Sequence, residues 1–225
     1  MKKIKICTVV TGKTLKEFLK NLAEIQKVSI FVELRVDYIE NLNDFDLDII
    51  KSQTFKESIL TCRSLSGGGW FKGSTEKLMQ IIHKAIELKF DYVDVELSKL
   101  KLIDKSKCNE DVKIIGSYHN FAETPKYRIL QNTINFIFEN KFVDIAKIAT
   151  FVNSEDDVIN LTKILISKNP EENLIILGMG KKGKITRIIS PLLGGYLTFA
   201  STGKCKTAGG QIKLSKLKEI YRARK

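Results

Sequence analysis

Eight short apolar runs, each followed by a stretch of helical periodicity, recur along this 225-residue chain and constrain its fold more than any other feature. The runs fall at Ile4–Val10, Ser29–Arg35, Ser58–Arg63, Asp91–Leu97, Val112–Tyr118, Val143–Ala149, Asn173–Gly178 and Leu197–Ser201. After the first, Thr14 caps a predicted helix to about Ile25, with Leu15, Phe18, Leu19 and Leu22 on one face. A weaker helix spans Phe45–Ser52. Thr75–Leu88 places Leu78, Ile81, Ile82 and Ala85 at helical spacing. A short helix covers Ser98–Lys105. Pro125 opens a helix to about Phe138, in the first-turn position proline tolerates. Ser154 caps one to about Ser167, a short one begins near Lys184, and Gln211–Arg222 is the last. Regular βα alternation implies a parallel sheet, and eight units are the count of the α/β (β/α)8 TIM barrel. At roughly 28 residues per unit the barrel is compact, with residues 1–225 as a single domain. An open doubly wound sheet is the alternative, but Gly12-Lys13-Thr14 is not the dinucleotide fingerprint that fold would carry.

Composition narrows the class. The chain is 43% hydrophobic and 28% charged, enough for one substantial core. No segment is long and apolar enough to span a bilayer. Met1-Lys2-Lys3-Ile4-Lys5-Ile6 is basic then apolar, but the apolar part stops at Thr11-Gly12, too short for a secretory signal. Cys7, Cys62, Cys108 and Cys205 form no close pair and have no histidines near them. Reduced thiols of a cytoplasmic protein are expected, with neither a disulfide framework nor a zinc site. The net charge of +12 comes mostly from dispersed lysine. Without a dense basic block or interleaved aromatics, it reads as a solvated surface that draws in anions, not as a nucleic-acid interface. Arginine is used sparingly, at Arg35, Arg63, Arg128, Arg187, Arg222 and Arg224.

Active sites of such barrels sit at the carboxyl ends of the strands. Glu33 and Arg35 end the second strand on one face, and Arg63 ends the third. Asp94 and Glu96 end the fourth, and Ser117 and His119 the fifth. Lys147 lies inside the sixth, Met179 ends the seventh with Arg187 just beyond, and Ser201 ends the eighth. Taken singly these residues have bland readings: a snorkelling lysine, a structural histidine, an ion pair, a turn at Gly67-Gly68-Gly69. His83, in a helix among surface lysines, is read as structural. What favours chemistry is convergence: one lysine, one histidine and three arginines fall at the same strand ends, and burial would penalise the charged lysine and favour an amine nucleophile that forms imines with ketones. An iminium acidifies the neighbouring C–H. His119 could remove that proton and return it to a departing hydroxyl, while arginines hold an anionic group. This chemistry asks for no metal or cofactor.

Several motifs together resemble the type I 3-dehydroquinate dehydratase family of the shikimate pathway. They are Glu33-Leu34-Arg35-Val36-Asp37, Thr61-Cys62-Arg63 with the glycine run, and Asp94-Val95-Glu96. Ser117-Tyr118-His119-Asn120-Phe121, Asp144–Ala149, Met179-Gly180 and Thr207-Ala208-Gly209-Gly210-Gln211 complete the set. The resemblance covers nearly the whole chain. It implies a cytoplasmic, homodimeric (β/α)8 barrel that dehydrates the small molecule 3-dehydroquinate without a cofactor. It also implies Lys147 as Schiff-base lysine, His119 as acid/base and Arg187 as carboxylate partner. Glu33, Arg35 and Arg63 would position hydroxyls and ring; Phe121, Met179 and Phe199 would form walls. Thr207 and Gln211 would lie on a closing lid. Ser201 receives no role. Two departures bear on the site. Many members carry a glutamate where Gly67 stands, so the carboxylate orienting His119 would have to be Asp94 or Glu96, or be missing. The lid has Thr207 for serine and Gly209 for proline; glycine has more freedom to lose on ordering, so a mobile lid is expected, with Gly209→Pro lowering KM. A class I aldolase would also use a strand lysine and be trapped on Lys147 by reduction, so only enone formation from 3-dehydroquinate separates it from the dehydratase. A basic nucleic-acid binder is the non-enzymatic alternative, which salt-dependent DNA binding would support.

Overall fold

The structure, a computed structural model, describes residues 4–108, 110–203 and 210–222. The described residues form nine strands and eight α-helices. These are β1 (Ile6–Val10), α1 (Leu15–Gln26), β2 (Phe31–Arg35), α2 (Asp44–Ser52), β3 (Glu57–Thr61), α3 (Thr75–Glu87), β4 (Tyr92–Glu96), β5 (Lys113–Asn120) and α4 (Tyr127–Phe138). The chain continues with β6 (Ile145–Phe151), α5 (Glu155–Ser167), β7 (Leu174–Met179), α6 (Gly180–Gly183), α7 (Thr186–Ile189), β8 (Thr198–Ser201), β9 (Ile212–Lys213) and α8 (Leu214–Arg222). They fall in two compact units: Val10–Ser117 with Asn140–Asp144, and Met1–Val9 with Tyr118–Glu139 and Ile145–Lys225.

In the Val10–Ser117 unit, β2, β3, β4 and β5 pair in parallel in that order. The register sets Arg35 opposite Thr61, Thr61 opposite Asp94, and Glu96 opposite Ser117. The polar strand ends are thereby brought level. Helix α1 starts at Thr14, whose hydroxyl accepts from Glu17 N at 3.2 Å, and buries Phe18, Leu22 and Ile25. Helix α3 starts at Ser74 and buries Leu78, Ile81, Ile82 and Ala85. Each such side chain removed from water contributes about 1.5–3 kcal/mol, apart from the smaller alanine. Asn43 and Asp46 form a reciprocal capping box on α2.

In the other unit β6 and β7 pair in parallel, with Lys147 opposite Ile175. β1 pairs with β8, and β8 with β9. Ser154 caps α5 in a box with Asp157. Ala200, Ile212, Leu214 and Leu217 form a buried cluster with Ile6, Ile188 and Tyr221 against it.

Several details differ from the sequence reading. The expected helix at Ser98–Lys105 is two 3-10 turns, Leu97–Leu102 and Lys105–Lys107, and β3 stops at Thr61, short of Arg63. Pro125 lies before Lys126, the N-cap of α4, and so outside the first turn. The residue preceding a proline avoids helical geometry, but Pro125 itself does not have to begin the helix. The segment from Gln211 is not helical at its start: Ile212–Lys213 pairs with β8 as a ninth strand, and α8 begins at Leu214. The run near Lys184 divides into two single turns, α6 and α7. No helix among the described residues is long and apolar enough to cross a membrane.

Candidate active site

In the Val10–Ser117 unit, the predicted residues Glu33, Arg35 and Arg63 are all buried. Glu33 accepts from Thr61 Oγ1 at 3.2 Å. Arg35 does not use Glu33 as its bidentate partner. Its Nε and Nη2 donate to the two oxygens of Asp37 at 2.8 and 2.7 Å, and its guanidinium lies 5.0 Å from the Tyr38 ring centre. Burial pulls the Arg35 pKa down, but the Asp37 hydrogen bonds and charge outweigh it and the net shift is upward. Trp70 N donates to the same Asp37 carboxylate at 3.1 Å, tying the loop after β3 to the end of β2. Asp37 belongs to the quoted motif, yet spacing alone assigned it no task. Its signal was a carboxylate two residues after a strand-end arginine.

Arg63 lies two residues past β3. Its Nη2 donates to Asp94 Oδ1 at 2.7 Å, and Ser117 Oγ donates to the same oxygen at 2.6 Å. Glu96 accepts from Ser64 N at 2.7 Å, from Ser64 Oγ at 2.9 Å and from the buried ammonium of Lys99. This explains the glycine at position 67. A Cβ there would lie 2.6 Å from Glu96 Oε1, so the Glu96 carboxylate already fills that space.

In the other unit Lys147 is 5% exposed on β6, and its Nζ sits 4.6 Å from the centre of the Phe199 ring. The aromatic face offers a cation–π contact to the ammonium and an apolar wall to a neutral amine. His119 lies within β5, and its ring stacks on Phe121 at 6.1 Å and 17°. Met179 ends β7 and is buried. Arg187, 3% exposed, rides on the single turn α7. That turn is fastened by its carbonyls: Thr198 Oγ1 and Tyr221 Oη donate to Arg187 O at 2.8 and 3.1 Å, and Tyr221 also reaches Ile188 O. Neither anchor was legible in sequence, because both are remote along the chain. Gln211 follows Gly210, whose φ of +79° and close approach to Gly180 O exclude a side chain. Thr207 and Gly209 lie outside the described residues.

His83, read as structural, accepts a hydrogen bond at Nε2 from Asp104 N at 3.1 Å. Burial, with the nearby Lys107 charge, lowers its pKa below the usual imidazole value.

Parallel βα repeats with a lysine buried in one strand and arginine–carboxylate groups at the ends of others mark an α/β-barrel enzyme. Solved structures agree on the fold: the 3-dehydroquinate dehydratase of Geobacillus kaustophilus superposes with a TM-score of 0.90 at 24% identity, over 99% of this chain and 91% of that one. The Aquifex aeolicus dehydratase gives 0.78 at 30% identity, over 98% of each chain. A sequence model described as type I 3-dehydroquinase matches residues 6–225, and the chain belongs to that family of hydro-lyases. Among curated relatives, the 3-dehydroquinate dehydratase of Coxiella burnetii is 44% identical over 96% of this chain and 92% of its own length. That of Methanocaldococcus jannaschii is 34% identical over 96% and 97%. The type I enzyme of Clostridium difficile, similar at a TM-score of 0.89 and 25% identity over 99% and 92%, was solved with covalently modified comenic acid.

Proposed function

We propose that this chain dehydrates 3-dehydroquinate to 3-dehydroshikimate through an imine on Lys147. The observation that carries the reading is a lysine 5% exposed inside a strand, its ammonium against an aromatic ring, in a chain matched by the family over residues 6–225. Lys147 Nζ adds to the substrate ketone and water leaves, giving an iminium. His119 takes a proton from the adjacent carbon, and the C–H electrons flow into the iminium to form an enamine. The enamine electrons then return to expel the β-hydroxyl, which leaves as water with the proton from His119. Hydrolysis of the resulting conjugated iminium frees the enone and restores the amine. The iminium is the electron sink, so the scheme needs no cofactor or metal.

Arg187 is assigned the substrate carboxylate, for which a planar, buried guanidinium on a fastened turn is well suited. Glu33, Arg35 and Arg63 position hydroxyls and ring. Phe121, Met179 and Phe199 form walls, and Thr207 with Gln211 belongs to the lid. On this reading residues 1–225 act as one catalytic domain, as a homodimer in the cytoplasm, with no nucleic-acid partner. Light scattering after size exclusion tests the dimer.

The decisive experiment is mass spectrometry after borohydride reduction in the presence of 3-dehydroquinate, on wild type and Lys147→Ala, with enone absorbance followed in parallel. A reduced adduct on Lys147 with enone formation is expected, and both vanish in the variant. An adduct without enone would indicate an aldolase-type reaction. Turnover surviving Lys147→Ala would end the imine scheme.

A further inference from the structure

The Val10–Ser117 unit also holds an open cavity of about 720 Å3, lined by none of the residues assigned above to catalysis or substrate binding, although Asp37 and Tyr38, which hold Arg35, and Glu40 form part of its wall. Its volume is that of an ordinary small-molecule site. Tyr38, Trp70 and Phe71 supply an aromatic wall. The Tyr38 and Trp70 rings lie 5.9 Å apart at 49°, yet Trp70 remains 58% exposed. Three lysines, Lys13, Lys72 and Lys77, stand around the cavity, all exposed. Among the described residues none of the three ammonium groups has a carboxylate partner. Three exposed lysines against one exposed carboxylate, Glu40, leave the lining net positive, and beside an exposed indole that favours an anion with a flat face.

We propose that this cavity is a second ligand site, taking a small planar aromatic compound that carries phosphate or carboxylate groups. The ring stacks on Trp70, where base–aromatic and ring–ring contacts are sequence-tolerant but specific for a π face. The anionic groups meet Lys13, Lys72 and Lys77, and the positive field of the chain assists capture. The site is wired to Arg35. Trp70 N holds the Asp37 carboxylate that fixes the Arg35 guanidinium, so a ligand on the indole bears on that pair. Binding itself does not depend on the dehydratase reading.

The chain has one tryptophan, so its emission reports this cavity directly. The full-length protein is titrated with phthalate, with AMP and with cyclohexane-1,2-dicarboxylate, in wild type and in the triple variant Lys13→Gln, Lys72→Gln, Lys77→Gln, whose fold is checked by circular dichroism. A saturable change with phthalate or AMP is expected, weakened about tenfold or more in the triple variant. Saturation by phthalate identifies the carboxylate source, and saturation by AMP the phosphate source. A linear, collisional response to both aromatic probes overturns the proposal. So do equal affinities in the two proteins, or equal binding of the non-aromatic dicarboxylate.

Discussion

Replacing Asp37 with asparagine removes the countercharge of a buried arginine while keeping the side-chain shape. In the native protein the Arg35 and Asp37 side chains are 7% and 0% exposed, and two charged hydrogen bonds of 2.8 and 2.7 Å join them. Breaking such a pair from one side leaves a desolvated charge, at a cost of about 3–5 kcal/mol. Asparagine retains one acceptor, for Arg35 or for Trp70 N, so the expected loss lies near the lower end, about 3 kcal/mol. Arg35→Met in the same background should recover much of it, since no guanidinium then remains to satisfy. The double variant should therefore lie well below the sum of the two singles, by about 2 kcal/mol or more. Denaturant unfolding, followed by Trp70 emission and by far-ultraviolet dichroism, measures each term. On the proposed function Asp37→Asn also raises KM more than it lowers kcat, because Arg35 binds substrate and does not transfer a proton. A loss under about 0.5 kcal/mol, or strict additivity of the double variant, would refute the reasoning, because it would mean that water or another group screens the guanidinium.

Gly67→Ala forces Glu96 off Ser64 and should cost about 1–2 kcal/mol by denaturant midpoint, but far less in a Glu96→Ala background. His83 has a lowered folded-state pKa and accepts a hydrogen bond only when neutral, so its contribution is present above the unfolded value near 6.5 and fades as pH falls through it. Its partial exposure limits the effect to less than about 1 kcal/mol, and the loss between pH 7.5 and 5.5 should shrink in His83→Ala, as read by thermal unfolding at the two pH values. Gly210→Ala places a Cβ 2.5 Å from Gly180 O at a positive φ, so the backbone there must shift; on the proposed function KM should rise severalfold with the fold intact by dichroism. Gly209→Pro should lower KM, and an unchanged or higher value would count against the idea of a loose lid.

The sequence by itself determined the order of strands and helices, the caps at Thr14 and Ser154, the buried stripe Leu78, Ile81, Ile82 and Ala85, and the buried lysine on β6. All are local properties: periodicity, capping chemistry and the apolar neighbours of one residue. The motifs likewise carried the family. Only the tertiary structure decided the pairings. Nothing in the spacing said that Arg35 would take Asp37, that Arg63 would share Asp94 with Ser117, or that Glu96 would fill the space at Gly67. Nor did it say that Tyr221 would fasten the turn bearing Arg187, or that Ile212–Lys213 would add a strand. Each joins groups whose approach depends on strand register and on loop paths, and a hydrogen bond a few tenths of an ångström too long contributes little. A chain encodes such contacts only through the whole fold, whereas a stripe or a cap is settled within a few turns of backbone.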